Sequence, residues 1–433
     1  MRLMITLEEA LETFLSRVRL VEKEEVALLC AYERVLAEEL VAPHDQPPFD
    51  RSPLDGYALK GEDIAHASLQ SPARLKVTES LPAGHLPAGR VEPGTAMRIM
   101  TGAPIPPGAD TVVRLEDSRE SNGWVEIFVS LPPGSNVVPA GEDIREGELV
   151  LKPGTLLKAP ETGVLAALGV PLVKVFKKPR VAILSTGDEL AGLEEELTPG
   201  KIRNSNLYTL AALIREAGGI PVMLGNVPDR LEETVMKIGE GLQGADLVLT
   251  TGGASVGDHD LIREAMIRAG ARLLFWKVKM KPGMPVVAGE AEHKLILGLS
   301  GNPAAALISF EVLVRPLLKK MGGCQDLFRP RVTVRLLDDF PKAAKQRRFL
   351  RAQVGIMGGE LAARLTGRQG NGVLKSSLPA NALLDIPAGR VPLKKGERVE
   401  AILTGELTSL DPLMEQGAGV IFSKTVAIGT IAG

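Results

Sequence analysis

Residues 247–258 (LVLTTGGASVGD) decide the fold, because an apolar run passes there directly into a glycine-rich turn. Four more segments repeat this arrangement of an apolar run and a turn: residues 181–189 (VAILSTGDE), 221–229 (PVMLGNVPD), 273–283 (LLFWKVKMKPG) and 295–303 (LILGLSGNP). Short apolar runs bounded by turn residues predict buried β-strands. Stretches with helical character separate or follow them, at 207–217, 230–242, 259–269 and 304–321. This alternation predicts a parallel-sheet α/β domain over residues 178–325.

The glycine-rich turns favour a ligand site at one edge of that sheet. In an open parallel sheet all strands end on the same edge, so loops that are distant in sequence meet in one crevice. Gly252, Gly253 and Gly257 allow the backbone to approach an anion closely, and the next helix N-terminus favours negative charge. Ser255 adds a hydroxyl group. A single glycine-rich turn can equally well be a simple connection between a strand and a helix. The prediction of a phosphate-ester site therefore rests on the crevice as a whole.

Acidic residues follow three of the predicted strands: Asp188 with Glu189, Asp229, and Asp258 with Asp260. Carboxylates beside a phosphate site can hold Mg²⁺. An Asp before a helix can instead cap the helix N-terminus, and this second role is open for Asp229 and fits Asp258 better when that residue is taken alone. Asp188 and Glu189 stand at the carboxyl end of a strand, where ligands bind, and this position favours a site.

Basic and polar residues follow the last two strands. Lys277 and Lys281 are four residues apart in a predicted strand, so their side chains are expected to point the same way. They either attract an oxyanion or form one solvated strand face. The turn after residues 295–299 opens a helix with donor groups and a proline suited to the first helical turn: Ser300, Gly301, Asn302 and Pro303.

The rest of the chain predicts smaller domains. Residues 45–140 and 326–405 alternate without helical stretches, which predicts a β-rich inserted domain and a C-terminal β-barrel or sandwich. Residues 6–40 have helical spacing, with a capping box at Thr6 and Glu9, and residues 1–44 and 141–177 are expected to form a helical and linker domain. Residues 406–433 remain as an extension. Asp55 and Asp143 lie in acidic Pro/Gly turns, which by their spacing alone indicate surface turns.

The composition excludes several classes of protein. The 433 residues are 45% hydrophobic and 24% charged with a net charge of −2, which is ordinary for a globular protein and argues against nucleic-acid binding. The apolar tail 417–433 is too short and glycine-rich to predict a membrane span. Cys30 and Cys324 are far apart in sequence, so no structural disulfide is expected. A chain without structural disulfides is expected to be located in the cytoplasm.

Taken together, these segments resemble the molybdopterin molybdenumtransferase family, which includes bacterial MoeA and the E domain of gephyrin. The resemblance covers about residues 3–403 and rests on ordered motifs: PPFD at 47–50, DGYA at 55–58, MTGA at 100–103, GAD at 108–110, GED at 141–143, STGDEL at 185–190, NSN at 204–206, TGGASVG at 251–257, KPG at 281–283, GNP at 301–303 and TGRQG at 366–370. It implies a four-part, elongated homodimer. The implied active site joins the α/β domain of one subunit to the β-rich insertion of the other.

The resemblance also implies a reaction, in which adenylylated molybdopterin and molybdate yield molybdenum cofactor and AMP with Mg²⁺. It implies that four acids are catalytic: Asp55, Asp143, Glu189 and Asp229. Asp188, Asp258 and Asp260 are expected as supports or metal ligands. Substrate contacts are expected from Thr186, Gly187, Gly252, Gly253, Ser255, Gly257, Lys277, Lys281, Ser300, Gly301, Asn302, Pro303 and Arg351. Transient partners would be the molybdopterin adenylyltransferase and the recipient molybdoenzymes.

Three residues depart from many family members, and all fall in the implied oxyanion pocket: Met284 replaces Lys, Ser300 replaces Pro and Asn371 replaces Ser. Ser300 and Asn371 still donate hydrogen bonds, and Arg351 is a candidate for the charge that Met284 lacks. The oxyanion is therefore either molybdate or tungstate. Two further hypotheses for the function are a non-catalytic molybdopterin-binding scaffold and the adenylyltransferase itself, although the flanking β domains argue against the adenylyltransferase.

Overall fold

The computed structural model describes residues 1–253 and 261–410, and these residues form two compact units. The first unit consists of Met1–Glu24 and the described residues from 176 onward, and the second of Glu25–Val175. No helix in this described part of the chain is long and apolar enough to cross a lipid bilayer. Most of the predicted extension 406–433 lies outside the described residues, as do four predicted site residues: Ser255, Gly257, Asp258 and Asp260.

The helices are mostly short. Within the two described ranges the α-helices are α1 (Leu7–Leu15), α2 (Ala159–Ala167), α3 (Ser205–Glu216), α4 (Leu231–Gly244), α5 (Leu261–Arg268), α6 (Pro303–Ser309) and α7 (Arg315–Met321). A π-helical turn, Phe310–Val314, joins α6 to α7, so the predicted helix 304–321 is continuous but irregular. Single 3₁₀ turns cover Leu28–Ala31, Gly61–Ile64, Leu115–Asp117 and Lys375–Ser377.

The strands are more numerous than the helices. In the same ranges they are β1 (Arg2–Ile5), β2 (Lys23–Ala27), β3 (Leu40–Val41), β4 (Gly56–Leu59), β5 (Ala73–Leu81), β6 (Thr95–Ile99), β7 (Thr111–Arg114), β8 (Ser118–Ser121), β9 (Trp124–Ile127), β10 (Leu149–Leu151), β11 (Leu172–Phe176), β12 (Arg180–Thr186), β13 (Leu190–Ala191), β14 (Ile202–Arg203), β15 (Ile220–Val227), β16 (Leu247–Thr251), β17 (Arg272–Val278), β18 (Met280–Lys281), β19 (Val287–Ala291), β20 (Lys294–Leu299), β21 (Arg331–Leu336), β22 (Arg347–Met357), β23 (Glu360–Leu365), β24 (Ala382–Ile386), β25 (Arg398–Leu403) and β26 (Thr408–Ser409).

A seven-stranded sheet forms the centre of the first unit, in the order β1-β17-β19-β20-β16-β12-β15. β20, β16, β12 and β15 are parallel to one another, and β19 runs antiparallel to both its neighbours. One face packs on α1, α3, α6 and α7, and the other packs on α4 and α5. The α/β fold with helices on both faces of a mainly parallel sheet is therefore confirmed.

The register of the parallel strands aligns their carboxyl ends. Ser185 of β12 lies opposite Thr251 of β16 and Asn226 of β15. Thr251 in turn lies opposite Leu299 of β20. The turns that follow these four strands therefore leave the sheet side by side at one edge, as the parallel-strand rule predicts.

The C-terminal part of the first unit is a small closed β-barrel, so of the two predicted forms, barrel and sandwich, the barrel is the correct one. Its five strands close in the order β22-β23-β21-β25-β24, and β24 pairs again with β22. Leu350, Ala352 and Val354 alternate inward from β22 into the barrel core. Phe349 precedes them in sequence and packs in the core cluster of the α/β part instead, so β22 joins the two halves of this unit.

The predicted helical spacing of residues 6–40 holds only for α1. Its capping box is confirmed, because the Thr6 hydroxyl accepts from the Glu9 N–H at 3.2 Å and the Glu9 carboxylate accepts from the Thr6 N–H at 2.7 Å. The helix prediction for residues 26–40 is wrong. Those residues form β2, a 3₁₀ turn and β3, because β2 pairs with β11 and β3 pairs with β10. Pairing with distant strands has overridden local helix propensity.

The second unit contains a six-stranded sheet in the order β7-β4-β6-β5-β9-β8. It lies within the segment 45–140, for which the sequence predicts a β-rich domain. Residues before and after this segment share a small core formed by Ala31, Leu36, Leu157, Leu165 and Val175. The chain thus leaves this core, builds the sheet and returns to the same core.

Candidate functional site

Two glycines allow the turns at the sheet edge to touch. A Cβ atom on Gly252, which has φ +91°, would lie 2.0 Å from the Thr186 carbonyl oxygen. A Cβ atom on Gly253, with φ +60°, would lie 2.7 Å from the Thr186 hydroxyl. On the other side, a Cβ atom on Gly301 would come within 3.2 Å of the Gly252 Cα. The turns after β12 and β16 therefore approach each other as closely as only glycine permits, and the turn after β20 packs tightly against Gly252.

Two asparagines from the NSN motif fix this edge. Asn206 donates its side-chain amide to the Thr251 hydroxyl and to the Gly301 carbonyl, both at 2.8 Å. The Thr251 hydroxyl donates to the Ser300 carbonyl at 3.1 Å. Asn204 caps α3 by accepting from the Leu207 N–H at 3.1 Å. These bonds hold the turns after β16 and β20 in a single arrangement.

The same edge leaves polar atoms without protein partners. Thr186 is buried, and among the described residues its hydroxyl oxygen has no hydrogen-bond partner. The side-chain oxygen of the buried Asn206 is also unpartnered in that part of the chain. Buried polar atoms are nearly always bonded in folded proteins, so unpaired ones at a strand end indicate a ligand-binding edge.

Three acids gather beside this edge. Asp188 and Glu189 follow β12, and the Asp229 N–H donates to the Asp188 carboxylate at 3.2 Å. The pKa of Asp229 is raised above its ordinary value, first by partial removal from water and then by the negative charges of Asp188 and Glu189, against a hydrogen bond with the Asp188 backbone. Asp229 does not cap α4, because the residue at the cap position is Arg230.

The three acids do not complete a metal site by themselves. In residues 1–253 and 261–410, no group of three or more His, Cys, Asp or Glu is arranged to hold one ion. The predicted ligands Asp258 and Asp260 lie outside those ranges. The raised pKa of Asp229 is consistent with a bound cation, because a positive charge would stabilise carboxylates that lie close to one another.

Lys277 and Lys281 do not share a strand face, so that expectation is wrong. The predicted strand breaks at Lys279: β17 belongs to the α/β sheet, whereas β18 pairs with β22 of the barrel. Lys277 has φ +68°, and its ammonium lies 3.8 Å from the centre of the Trp276 ring. Lys281 is exposed and lines two cavities beside the barrel, whereas Lys277 lines neither of them.

One of these cavities, of about 700 Å³, opens between the α/β part and the barrel; we call it the Ser300 cavity. Its walls combine the turn after β18, the turn after β20 and two barrel segments: Met280, Lys281, Pro282, Gly283, Met284, Pro285, Ser300, Asn302, Ala343, Lys345, Gln346, Arg348 and Asn371. Three of these residues are cations and none is an acid. The predicted contacts Lys281, Ser300 and Asn302 are thus brought together.

Strand pairing places a second cation beside Lys281. In the parallel pair of β18 and β22, Lys281 lies opposite Arg348. Arg348 is half-buried, and its guanidinium lies 5.2 Å from the Phe340 ring. Met284, which stands where many family members have a further cation, takes a neutral contact: the Gln346 amide lies 3.8 Å from its sulfur.

Arg351 is not in the cavity wall. It is 1% exposed, and it lies on the opposite face of β22 to Arg348 because the two residues are three positions apart in the strand. Its guanidinium donates to the Ser376 hydroxyl at 2.8 Å and to the carbonyls of Arg368 and Gly370 at 3.0 and 3.2 Å. Burial lowers its pKa from the ordinary value. Arg351 therefore braces the loop 366–371 from behind.

The braced loop reaches the first turn of α6. Gln369 accepts from the Arg351 N–H at 2.9 Å and donates to the Arg351 carbonyl at 3.0 Å, as a neighbouring strand would. Asn371, at the end of the loop, accepts from the Ala304 N–H at 3.0 Å. The barrel thus presents Asn371 to the residues that follow Ser300.

The second unit, taken by itself, holds the other two predicted acids. Asp55 is exposed, and one of its carboxylate oxygens accepts from both the N–H and the hydroxyl of Thr101, at 2.7 and 2.8 Å. These bonds hold the pKa of Asp55 below its ordinary value. Asp143 is exposed in a turn whose N–H groups, those of Asp143 and Ile144, donate to the Gln46 carbonyl at 3.0 Å.

The turns of Asp55 and Asp143 are tied together within the second unit. Arg51 and Val138 exchange backbone hydrogen bonds of 2.9 and 3.0 Å. The Ala140 N–H donates to the Asp50 carboxylate at 2.8 Å. Both turns thus have a defined conformation and present exposed carboxylates at the surface.

Sequence reasoning missed the cations of the barrel and the roles of the asparagines. Arg348 and Lys345 line the Ser300 cavity, yet no local pattern distinguishes them from Arg347, which pairs with Asp385 at 2.6 Å. Asn206 belongs to a motif of the family, but the sequence alone assigned it no role. Its position at the start of a helix in a Gly-rich site was the available signal for a positioning amide.

Three family models match the chain in order. They describe the MoeA N-terminal region (domain I and II) at residues 5–169, a probable molybdopterin binding domain at residues 182–320, and the MoeA C-terminal region (domain IV) at residues 333–404. The last two ranges coincide with the α/β part and the barrel, whose junction forms the Ser300 cavity.

Relatives align along nearly the whole chain. A molybdopterin molybdenumtransferase of Bacillus subtilis (strain 168) is 38% identical over 391 residues, 89% of this chain and 90% of its own length. That of Nostoc sp. is 36% identical over 383 residues, 87% and 88% of the two lengths. The crystal structure of the molybdopterin biosynthesis moeA protein from Pyrococcus horikoshii OT3 superposes with a TM-score of 0.80 at 33% identity, covering 92% of this chain and all of that one. Similarity of this extent means that the chain belongs to the molybdopterin molybdenumtransferase family and is an enzyme of molybdenum cofactor biosynthesis.

Proposed function

We propose that this enzyme converts adenylylated molybdopterin and molybdate into molybdenum cofactor and AMP, with Mg²⁺. The observation that carries the proposal is the continuity of two surfaces around Ser300. The glycine-rich sheet edge suits a diphosphate, and the cationic Ser300 cavity suits an oxyanion. A substrate that carries both a diphosphate and a site for metal insertion would span these surfaces.

The sheet edge binds the diphosphate through backbone and hydroxyl donors. Gly252 and Gly253 bring the backbone close to the ligand, and the unpartnered Thr186 hydroxyl donates to a phosphate oxygen. Gly187, Gly301 and Pro303 shape the neighbouring turns. Holding the phosphates in a fixed position orients the phosphoanhydride bond that breaks when AMP leaves.

Mg²⁺ would neutralise the charge of the diphosphate when it is bound. In this proposal Asp188 would hold it together with Asp258 and Asp260, and Glu189 and Asp229 would complete the negative field. Asp55 and Asp143 would come from a second copy of the chain, in a homodimer. Each site then depends on both subunits.

The cationic cavity holds the oxyanion. Lys281 supplies charge, and Ser300, Asn302 and Asn371 supply hydrogen bonds. Lys277, whose ammonium lies on Trp276, is expected to act outside this cavity. Tungstate fits the same charge and shape, so both oxyanions belong in every assay. The enzyme would work in the cytoplasm, with transient contact to the adenylyltransferase that makes its substrate and to recipient molybdoenzymes.

AMP release from purified protein tests the proposal. Adenylylated molybdopterin with Mg²⁺ should yield AMP when molybdate is added, and little AMP without it. Binding of the nucleotide without AMP release would show a scaffold instead. Formation of adenylylated molybdopterin from ATP and free molybdopterin would show an adenylyltransferase. Tungstate in place of molybdate measures the preference for the oxyanion.

Replacing Lys281 by Ala should raise the oxyanion concentration that gives half-maximal AMP release, by about tenfold, because a charge-assisted contact is lost. The maximal rate should change much less. Lys375→Ala is the matched control and should leave this concentration unchanged, since Lys375 is an exposed barrel cation that lines neither cavity. An unchanged concentration dependence in Lys281→Ala would remove Lys281 from the oxyanion site.

A further inference from the structure

A second cavity adjoins the Ser300 cavity on the barrel side. It has a volume of about 680 Å³, and we call it the Arg368 cavity. The two cavities share four lining residues, Lys281, Pro282, Arg348 and Asn371. They are therefore adjoining spaces with a common wall, and Arg348 stands in that wall.

Positively charged side chains outnumber negatively charged ones around the Arg368 cavity. Lys342 and Arg368 are exposed and line it in addition to Lys281 and Arg348. One acid, Asp339, lines it too, and its carboxylate already accepts the Lys395 N–H at 2.7 Å. A concave surface with walls of one charge sign concentrates ions of the opposite sign and speeds their arrival.

Arg348 is a partly buried cation with no acidic partner in the described part of the chain. It is half-buried, and its guanidinium makes only long bonds to the carbonyls of Lys342 and Ala343, at 3.5 and 3.3 Å. Among the residues that the structure describes, its Nε atom has no partner, and no carboxylate oxygen lies within 4.0 Å of its guanidinium. Burial lowers its pKa from the ordinary value. The neighbouring Arg347, by contrast, is paired with Asp385.

We propose that Arg348 binds a tetrahedral dianionic oxyanion at the junction of the two cavities, and that Lys342 and Arg368 draw this oxyanion in from solvent through the Arg368 cavity. The inference rests on the proposed function for the identity of the oxyanion, molybdate or tungstate. It adds an entry route and a specific cation to that function. Arg348 then takes over the charge that is absent at Met284.

Direct binding tests the role of Arg348 without pterin or nucleotide. Equilibrium dialysis with tungstate should give a dissociation constant at least about tenfold weaker for Arg348→Gln than for the parent enzyme. Arg348→Lys should retain part of the affinity, because it keeps the charge and loses the fork of donors. Lys375→Gln is the matched control: Lys375 is an exposed barrel cation that lines neither cavity, and its removal should leave binding unchanged.

Thermal unfolding separates a binding role from a folding role. Tungstate should raise the unfolding midpoint of the parent enzyme and of Lys375→Gln, and it should raise that of Arg348→Gln far less. Equal tungstate affinity in the parent and in Arg348→Gln would overturn the proposal. Displacement of tungstate by AMP would also overturn it, because the site would then be that of the nucleotide phosphate.

The entry route has a kinetic signature. In Lys342→Gln/Arg368→Gln, the oxyanion concentration for half-maximal AMP release should rise several-fold at low salt and approach the parent value at high salt, with an unchanged maximal rate. A lower maximal rate at an unchanged half-saturation would refute the route. If tungstate binding depends on Arg348 but no AMP is released, the proposed function fails and this inference stands. If AMP is released and the oxyanion dependence of Arg348→Gln equals that of the parent, the inference fails alone.

Discussion

Replacing Asp229 by Asn is expected to reduce AMP release about a thousandfold and, at the same time, to raise the stability of the protein. The loss follows from removing a negative charge that, in the proposed function, helps to hold the cation at the diphosphate. The gain follows from the surroundings of Asp229: partial removal from water and the charges of Asp188 and Glu189 raise its pKa, and a hydrogen bond with the Asp188 backbone offsets only part of this. The Asn side chain has the same size and carries no charge.

The pH dependence of this stability gain has a definite sign. A carboxyl group with a raised pKa in the folded state binds more protons folded than unfolded, so stability falls as the pH rises through the unfolded and then the folded pKa. Asp229→Asn lacks the carboxyl group and therefore does not lose this stability as the pH rises. The stability difference between variant and parent should therefore be small in acid and should reach its full size above the raised pKa of Asp229. Thermal unfolding in metal-free buffer between acidic and neutral pH measures it.

Two controls isolate the charge cluster. Mg²⁺ should raise the unfolding midpoint of the parent more than that of Asp229→Asn, since the ion gains most where carboxylates gather. Glu233 lies four residues further on and pairs with Arg230 at 3.0 Å. Glu233→Gln should lower stability slightly and leave AMP release unchanged. Full activity in Asp229→Asn, or a lower stability at neutral pH, would contradict the assignment.

The α/β half of the site was predictable from the sequence because its determinants are local. Each strand and its turn are contiguous, as in residues 181–189, and the rule that parallel strands end at one edge supplies the convergence. The contact of Gly252 with Thr186 is a direct consequence. The glycines of these turns therefore indicated a close contact at the sheet edge without any knowledge of the tertiary structure.

Long-range pairing explains what the sequence did not show. β2 pairs with β11 and β3 with β10, more than a hundred residues away, so helical propensity at 26–40 was misleading. The cations of the barrel follow the same rule. Arg351 was the predicted cation, but the pairing of β18 with β22 puts Arg348 beside Lys281, and an odd spacing turns Arg351 to the other face. No local pattern reveals that choice.

Replacing Asp55 by Asn is expected to reduce AMP release as severely, about a thousandfold, with the fold intact. One oxygen, Oδ1, accepts both hydrogen bonds from Thr101, and an Asn side chain retains that acceptor. In the described residues the other oxygen, Oδ2, has no protein partner, so the substitution removes only the exposed charge. The lowered pKa keeps Asp55 ionised at working pH, which fits a role as a fixed charge or cation ligand.

Variants of neighbouring positions separate charge from turn structure. Asp55→Ala loses the bonds to Thr101 as well, so it should lose activity and also unfold at a lower temperature. Asp63 offers a matched control, because its carboxylate accepts the Gly94 N–H at 2.9 Å in the same unit. Asp63→Asn should retain full activity. Equal activity of Asp55→Asn and the parent would make Asp55 a turn residue only.

Mixing the two inactive variants then tests whether the site is shared between subunits. If Asp55 acts on the α/β part of the partner subunit, a mixed dimer of Asp55→Asn and Asp229→Asn contains one site with both acids and one with neither. Random reassociation makes half of the dimers mixed, so about a quarter of the parent activity should return. If both acids belong to the same chain's site, every site carries a substitution and mixing restores nothing. Recovered activity should also disappear on dilution below the dimer's dissociation constant, because the intact site exists only while two chains remain together.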